Sequence, residues 1–198
     1  MPNMTQKENM IRTIKRDNPE WVPYRYDGSL TSLAPAVIPR AMEGGLDDWG
    51  IQNSLFIGPP QWREFIKPRM KELYGVVKEY EGFVFQHSCG HLKEIMPDLI
   101  EIGLDVLDPC QPGANDIFSW KEQYGDRLSF MGGLDTQTYL SFGTPQEVKQ
   151  AVKKVISVMA DEGGYIAAPS HTINIPKENK QAMVEAIKEW NDSIGGQR

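Results

Sequence analysis

The sequence predicts an α/β fold, a partial barrel of the TIM (βα)8 type. Three observations carry that prediction. Four short apolar runs, "FVFQHSCG" (83–90), "LDVLDPCQP" (104–112), "RLSFMGGLD" (127–135) and "YIAAPSHTI" (165–173), alternate with helix-like segments. Such alternation implies parallel strands joined by helical crossovers. Each run also ends in small, polar or ligand-type residues: His87, Cys89 and Gly90; Asp108, Cys110 and Gln111; Gly132, Gly133 and Asp135; Ser170, His171 and Asn174. In a parallel barrel the strand C-termini share one face, and the active site lies there. Finally, the length of 198 residues suits four to five βα units plus an N-terminal helix, whereas a complete barrel takes about 250 residues. The expectation is one domain over 1–198, with an N-terminal segment (1–50) and a C-terminal half-barrel (51–198).

The elements follow in order. Met4–Arg16 reads as a helix that Thr5 caps, with Glu8 three residues on. Residues 19–50 are rich in Pro and Gly and keep no sustained period, leaving room for one short strand near Trp21–Arg25 and one short helix. "PPQWREFIKPRMKELYGVVKEY" (59–80) is a helix bent near Pro68, and Leu92–Gly103 is a helix that Pro97 splits or delays. A weaker helix spans Asp116–Gly125. In "TPQEVKQAVKKVISVMADEGG" Thr144 is the N-cap, Pro145 takes the first turn and Glu147 completes a capping box. Val148, Val152, Val155, Ile156 and Met159 line one face of that helix, and Gly163-Gly164 stops it. "PKENKQAMVEAIKEWNDSIGG" (176–196) is a second Pro-started amphipathic helix.

Composition narrows the function classes. With 40% hydrophobic and 24% charged residues the chain is a globular protein. A net charge of -6 argues against a nucleic-acid partner, which calls for a Lys/Arg surface. No apolar run approaches the roughly 20 residues of a membrane span, and the N-terminus has no secretory apolar core. Two cysteines cannot build a disulfide framework, so reduced thiols and a cytoplasmic location are expected.

The chemistry concentrates at His87 and Cys89. Separated by one residue, they fall on the same face of a strand. Imidazole and thiolate are both zinc ligands, and a catalytic zinc usually keeps three protein ligands and one open position. A third ligand must then come from another strand end, His171 as first choice and Cys110 as reserve. His91 falls past the turn at Gly90 and reads as a bystander. Other readings stand beside this one: Cys89 and Cys110 as small buried hydrophobes, His87 as a core histidine, and His87–Cys89 as a nucleophilic pair.

The run "HSCGHLKEIMPDLIEIGLDVLDPCQPGANDI", followed by "FMGGLDTQ" and "GGYIAAPSHTI", resembles the uroporphyrinogen decarboxylase superfamily, and within it the zinc- and corrinoid-linked methyltransferase branch. The resemblance covers Ile51 to about Trp190, with a weaker likeness at the front. It implies a (βα)8-type barrel and a zinc site built on an H-x-C pair, here His87 and Cys89, plus a later cysteine. At that later position this chain carries His171, a departure that implies a His2Cys site. It further implies cobalamin carried by a partner corrinoid protein, a small-molecule methyl donor or acceptor such as a thiol, and Asp108, Gln111 and Asp135 at the mouth to orient substrate.

Tetrapyrrole decarboxylation is the alternative within the superfamily. It calls for an arginine-rich N-terminal motif, where this chain has Arg25 alone in "PEWVPYRYDGS", and for an aspartate; the Asp47-Asp48-Trp49 turn is a candidate pocket lining. A third reading is a non-catalytic shortened barrel. The resemblance jumps at "GGLDDWG/IQNSLF", as an internal deletion of the β2–β4 region would make it. Such a barrel leaves open sheet edges that a homodimer would cover.

Overall fold

The computed structural model describes residues 4–24, 48–171 and 174–195. Four strands, β1 (Phe85–His87), β2 (Val106–Asp108), β3 (Ser129–Leu134) and β4 (Tyr165–Pro169), form one sheet. All pairs are parallel and the spatial order is β1-β2-β3-β4. Strands added one after another in a single direction are barrel topology, since a doubly wound sheet reverses its order. On the far side of β4, Tyr24 bridges Ala167 in parallel and the Ala167 amide donates to Pro23 O at 2.8 Å. Tyr24 thus sits at the free edge of β4, where a further parallel strand would continue a barrel. Arg25, the end of the expected first strand, and Asp47 lie outside the described residues.

The two faces of the sheet are covered differently, as the period of two demands. Phe85, Val106, Met131, Ile166 and Ala168 pack on one face with Met10 and Ile14 of helix α1 (Gln6–Lys15). Leu107, Phe130, Leu134, Tyr165 and Ala167 belong to the other face and meet the crossover helices. In chain order these are α2 (Pro59–Gln61), a wide π turn (Trp62–Ile66), α3 (Lys67–Glu79), α4 (Met96–Glu101), α5 (Ile117–Tyr124), α6 (Tyr139–Phe142), α7 (Pro145–Met159) and α8 (Lys177–Gly195).

Local chemistry sets most of these boundaries. Thr5 and Glu8 form a reciprocal capping box on α1, and Thr144 and Glu147 form another on α7. The five apolar residues expected on one face of α7 are all buried. Pro97 delays its helix: a 3-10 turn (Lys93–Ile95) precedes α4. The expected bend near Pro68 takes the form of the π turn that leads into α3. Helix α7 ends at Met159, before the glycines; Gly163 and Gly164, both at positive φ, make the turn into β4 instead.

Helices α3 and α4 are tied by charge. Lys67 Nζ lies 2.8 Å from Asp98 Oδ1 and Arg63 Nη2 2.9 Å from Asp98 Oδ2. Burial pushes the Asp98 carboxyl up, but the two cations outweigh it and hold it below the usual range. No helix among the described residues is long and apolar enough to cross a membrane.

Candidate metal centre

His87 and Asp108 are the last residues of β1 and β2, and the register pairs them directly. His87 Nδ1 sits 2.9 Å from Asp108 Oδ2. In the neutral ring the Asp108 carboxylate can accept the Nδ1 proton, which leaves Nε2 as the nitrogen without one. Nε2 faces Cys89 Sγ at 3.5 Å and Asp48 Oδ1 at 3.6 Å. One donor atom each from Asp48, His87 and Cys89 thus lie within 4.8 Å of one another. Asp108 is buried, whereas His87 and Asp48 have half-exposed side chains. The cluster is therefore rooted in the fold and open on one side. The hydrogen bond to Asp108, then that to Cys89, raises the imidazole pKa to about 10 against the cost of desolvation.

Asp48 reaches the strand end through a tightly fitted turn. Its Oδ1 accepts the Cys89 amide at 2.7 Å, and the Trp49 amide donates to Ser88 Oγ at 2.9 Å. Trp49 is buried edge-on against Trp62, with ring centroids 5.4 Å apart. The His91 amide donates to Ile51 O at 2.8 Å. Between these bonds the backbones of Gly50 and Gly90 nearly touch. A Cβ on Gly90 would come within 2.3 Å of Gly50 C, and Gly90 has φ +80. Only glycine suits such a position. Gln111 Oε1 accepts the Gly90 amide at 3.0 Å, and Asn115 Nδ2 donates to Gly90 O at 2.8 Å.

The expected site residues are thus divided. His87 and Cys89 are brought together. Asp108 stands behind His87 and orients it instead of facing the mouth. Gln111 is buried and props the Gly90 turn; its Nε2 reaches Gln52 and Gln137 only at 3.4 Å. Asp135 accepts from the Gln137 amide at 2.8 Å and from Thr138 Oγ1 at 2.7 Å, so both its oxygens serve its own turn. Cys110, the reserve ligand, is a core residue outside the cluster. Its thiol donates to Leu107 O, and burial pushes its pKa well up. His171 is exposed and lies outside the Asp48–His87–Cys89 group. His91 is held by Ala114 O at 2.8 Å and Glu94 Oε2 at 3.3 Å, a structural role in keeping with its reading as a bystander. Asp48 is the residue that spacing did not single out as a ligand. Its only signal was the acidic turn "DDWG", 39 positions before His87.

Comparison with known proteins gives this geometry a family. Residues 46–190 match the family described as Uroporphyrinogen decarboxylase (URO-D). The chain is 27% identical over 188 residues to a methylated-thiol–coenzyme M methyltransferase of Methanosarcina mazei, covering 92% of this chain and 48% of that protein. It is 25% identical over 135 residues to a methylcobamide:CoM methyltransferase of Methanosarcina acetivorans, covering 68% of this chain and 38% of that protein. Among solved structures, a methyltransferase from Methanosarcina mazei superposes with a TM-score of 0.55 at 26% identity, over 68% of this chain and 38% of that one. The chain thus spans about half, or less, of the length of the relatives it matches. From strand order, site position and sequence together, the chain belongs to the uroporphyrinogen decarboxylase family, in the branch that contains methyltransferases.

Proposed function

We propose that this chain is the zinc-binding part of a methyltransferase that moves a methyl group between a corrinoid protein and a thiol or similar acceptor. The observation that carries the reading is the convergence of His87 Nε2, Cys89 Sγ and Asp48 Oδ1 at the C-terminal end of β1. It is supported by two relatives whose names specify methyl transfer to coenzyme M, one of them from a methylcobamide.

The residues fit the metal. Nitrogen, sulfur and oxygen donors are all zinc ligands, and three of them leave one position open for an acceptor. His87 and Cys89 would be two ligands and Asp48 the third, in place of His171. Bound zinc supplies Lewis acidity that lets an acceptor thiol lose its proton near neutral pH and remain nucleophilic. The chain's own groups do the rest. Asp108 holds His87 in the tautomer that presents Nε2. The Cys89 amide and Asp48 fix each other across the mouth, and the Gly50–Gly90 contact sets the distance between the two turns. A corrinoid carried by a separate protein would supply the methyl group, and the open side of the Asp48–His87–Cys89 cluster is where an acceptor thiol would stand to take it.

The test incubates the zinc-loaded chain with methylcobalamin and coenzyme M and follows the loss of the methylcobalamin spectrum and the appearance of the methyl thioether. Turnover that the His87→Ala/Cys89→Ala variant lacks is the expected result. Consumption of uroporphyrinogen with no thioether would assign the chain to decarboxylation instead, and inertness toward both would make it a non-catalytic barrel segment.

A further inference from the structure

Gln86 breaks the pattern of its row. The strand register sets Gln86 beside Leu107, Leu107 beside Phe130 and Phe130 beside Tyr165. All four are buried on the face that the crossover helices cover, and in that row only Gln86 carries a carboxamide. An amide is costly there unless both its ends find partners. Gln86 has one at each end. Tyr74, fully buried on the core face of α3, donates its hydroxyl to Gln86 Oε1 at 2.8 Å. Gln86 Nε2 donates to His87 O at 2.7 Å. A chain of hydrogen bonds thus runs from a crossover helix to the backbone of a candidate metal ligand.

The position of that carbonyl gives the chain its use. The Val106 amide donates to Val84 O and the Ser88 amide to Asp108 O. In a parallel ladder Val84, Gln86 and Ser88 therefore bond toward β2, while His87 O faces the other way. The peptide joining His87 to Ser88 is then held at both its polar atoms: its oxygen by Gln86 Nε2 and its N–H by Asp108 O. That peptide lies between His87 and Cys89, so its orientation sets the angle between the imidazole and the thiol. Asp108 fixes the His87 ring from the β2 side. Gln86 fixes the backbone that carries the ring from the opposite side.

We propose that Gln86 and Tyr74 are positioning residues for the candidate metal centre. They clamp the His87–Ser88 peptide, so that the donors of His87 and Cys89 hold their places before a metal binds. Neither residue touches the metal; each acts through the backbone, as outer partners of ligands do through side chains. The inference rests on the zinc reading of the Asp48–His87–Cys89 cluster.

Zinc affinity, measured in competition with a chromophoric chelator, and the visible spectrum of the Co(II)-loaded chain test this. Gln86→Met keeps the size of the side chain and loses both hydrogen bonds, while Tyr74→Phe removes only the outer one. Gln86→Met should weaken zinc about tenfold and shift the cobalt ligand-field bands; Tyr74→Phe should do the same to a smaller degree. Val152→Ala, a truncation on the core face of α7, controls for lost stability and should leave both readouts unchanged. In the metal-free chain, Gln86→Met should speed hydrogen exchange at the Ser88 amide more than at the Phe130 amide. Wild-type zinc affinity and cobalt spectrum in Gln86→Met overturn the inference alone, as does an equal loss in Val152→Ala. If Gln86→Met does not fold, Tyr74→Phe decides by the same readouts. A wild type that binds neither metal overturns the zinc reading itself, and this inference with it.

Discussion

Gly90→Ala is expected to cost at least about 2 kcal/mol of stability and to disrupt the candidate metal site. The left-handed backbone at φ +80 alone costs a side-chain-bearing residue roughly 1–2 kcal/mol. The rest comes from contact. The new Cβ would meet Gly50 C and O and the Ile51 amide, all closer than 3.0 Å and all backbone. No rotamer relieves that. Either the Asp48–Ile51 turn or the Ser88–Gly90 turn must move, and the Cys89 amide then loses Asp48 Oδ1. Urea unfolding of the metal-free protein reads the first effect, and a zinc titration reads the second. Wild-type stability in this variant would mean that the two turns do not meet as described.

The second large effect is expected at Asp108. Asp108→Asn keeps the shape but can present an amide N–H to His87 Nδ1. The ring then tends to turn its proton to Nε2, the atom that the proposed zinc site needs. Losing such an outer partner typically lowers metal affinity 10–100-fold. In the metal-free protein the same substitution removes the main cause of the raised His87 pKa, which should fall from about 10 toward the ordinary value of 6.5. The sign follows from linkage. A folded pKa above the unfolded one adds stability that is full below pH 6.5 and is lost as pH rises through about 10, so Asp108→Asn should narrow the stability difference between neutral and alkaline pH. NMR titration of the His87 ring reads the pKa directly. If Asp108 merely filled space, both affinity and pKa would stay put.

Much of the fold was legible in the residues, for reasons that are local. Capping boxes at Thr5/Glu8 and Thr144/Glu147 are short-range hydrogen-bond patterns, and the structure forms both as written. The four apolar runs became four parallel strands because each is bounded by glycine or proline and followed by an amphipathic segment. The H-x-C pair shares one side of the chain because the spacing of two survives into β1 and the turn after it.

What stayed hidden depends on distant backbone meeting backbone. Asp48 reaches Cys89 across 41 positions only because Gly50 and Gly90 both lack a side chain, and neither glycine declares its partner. The role of Asp108 rests on strand register, a one-residue matter that apolar runs do not specify. Asp135 read as a mouth residue because it follows a strand, yet its carboxylate closes its own turn. Cys110 follows its strand in the same way and is nevertheless core, because the chain turns it toward Leu107.

Zinc stoichiometry under equilibrium dialysis tests the central claim most directly, with wild type beside His87→Ala/Cys89→Ala, Asp48→Ala and His171→Ala. The account predicts one zinc per chain in the wild type and none in the double variant, with affinity clearly weakened by Asp48→Ala and little changed by His171→Ala. A wild type that binds no zinc, or a site that depends on His171 and ignores Asp48, would contradict it.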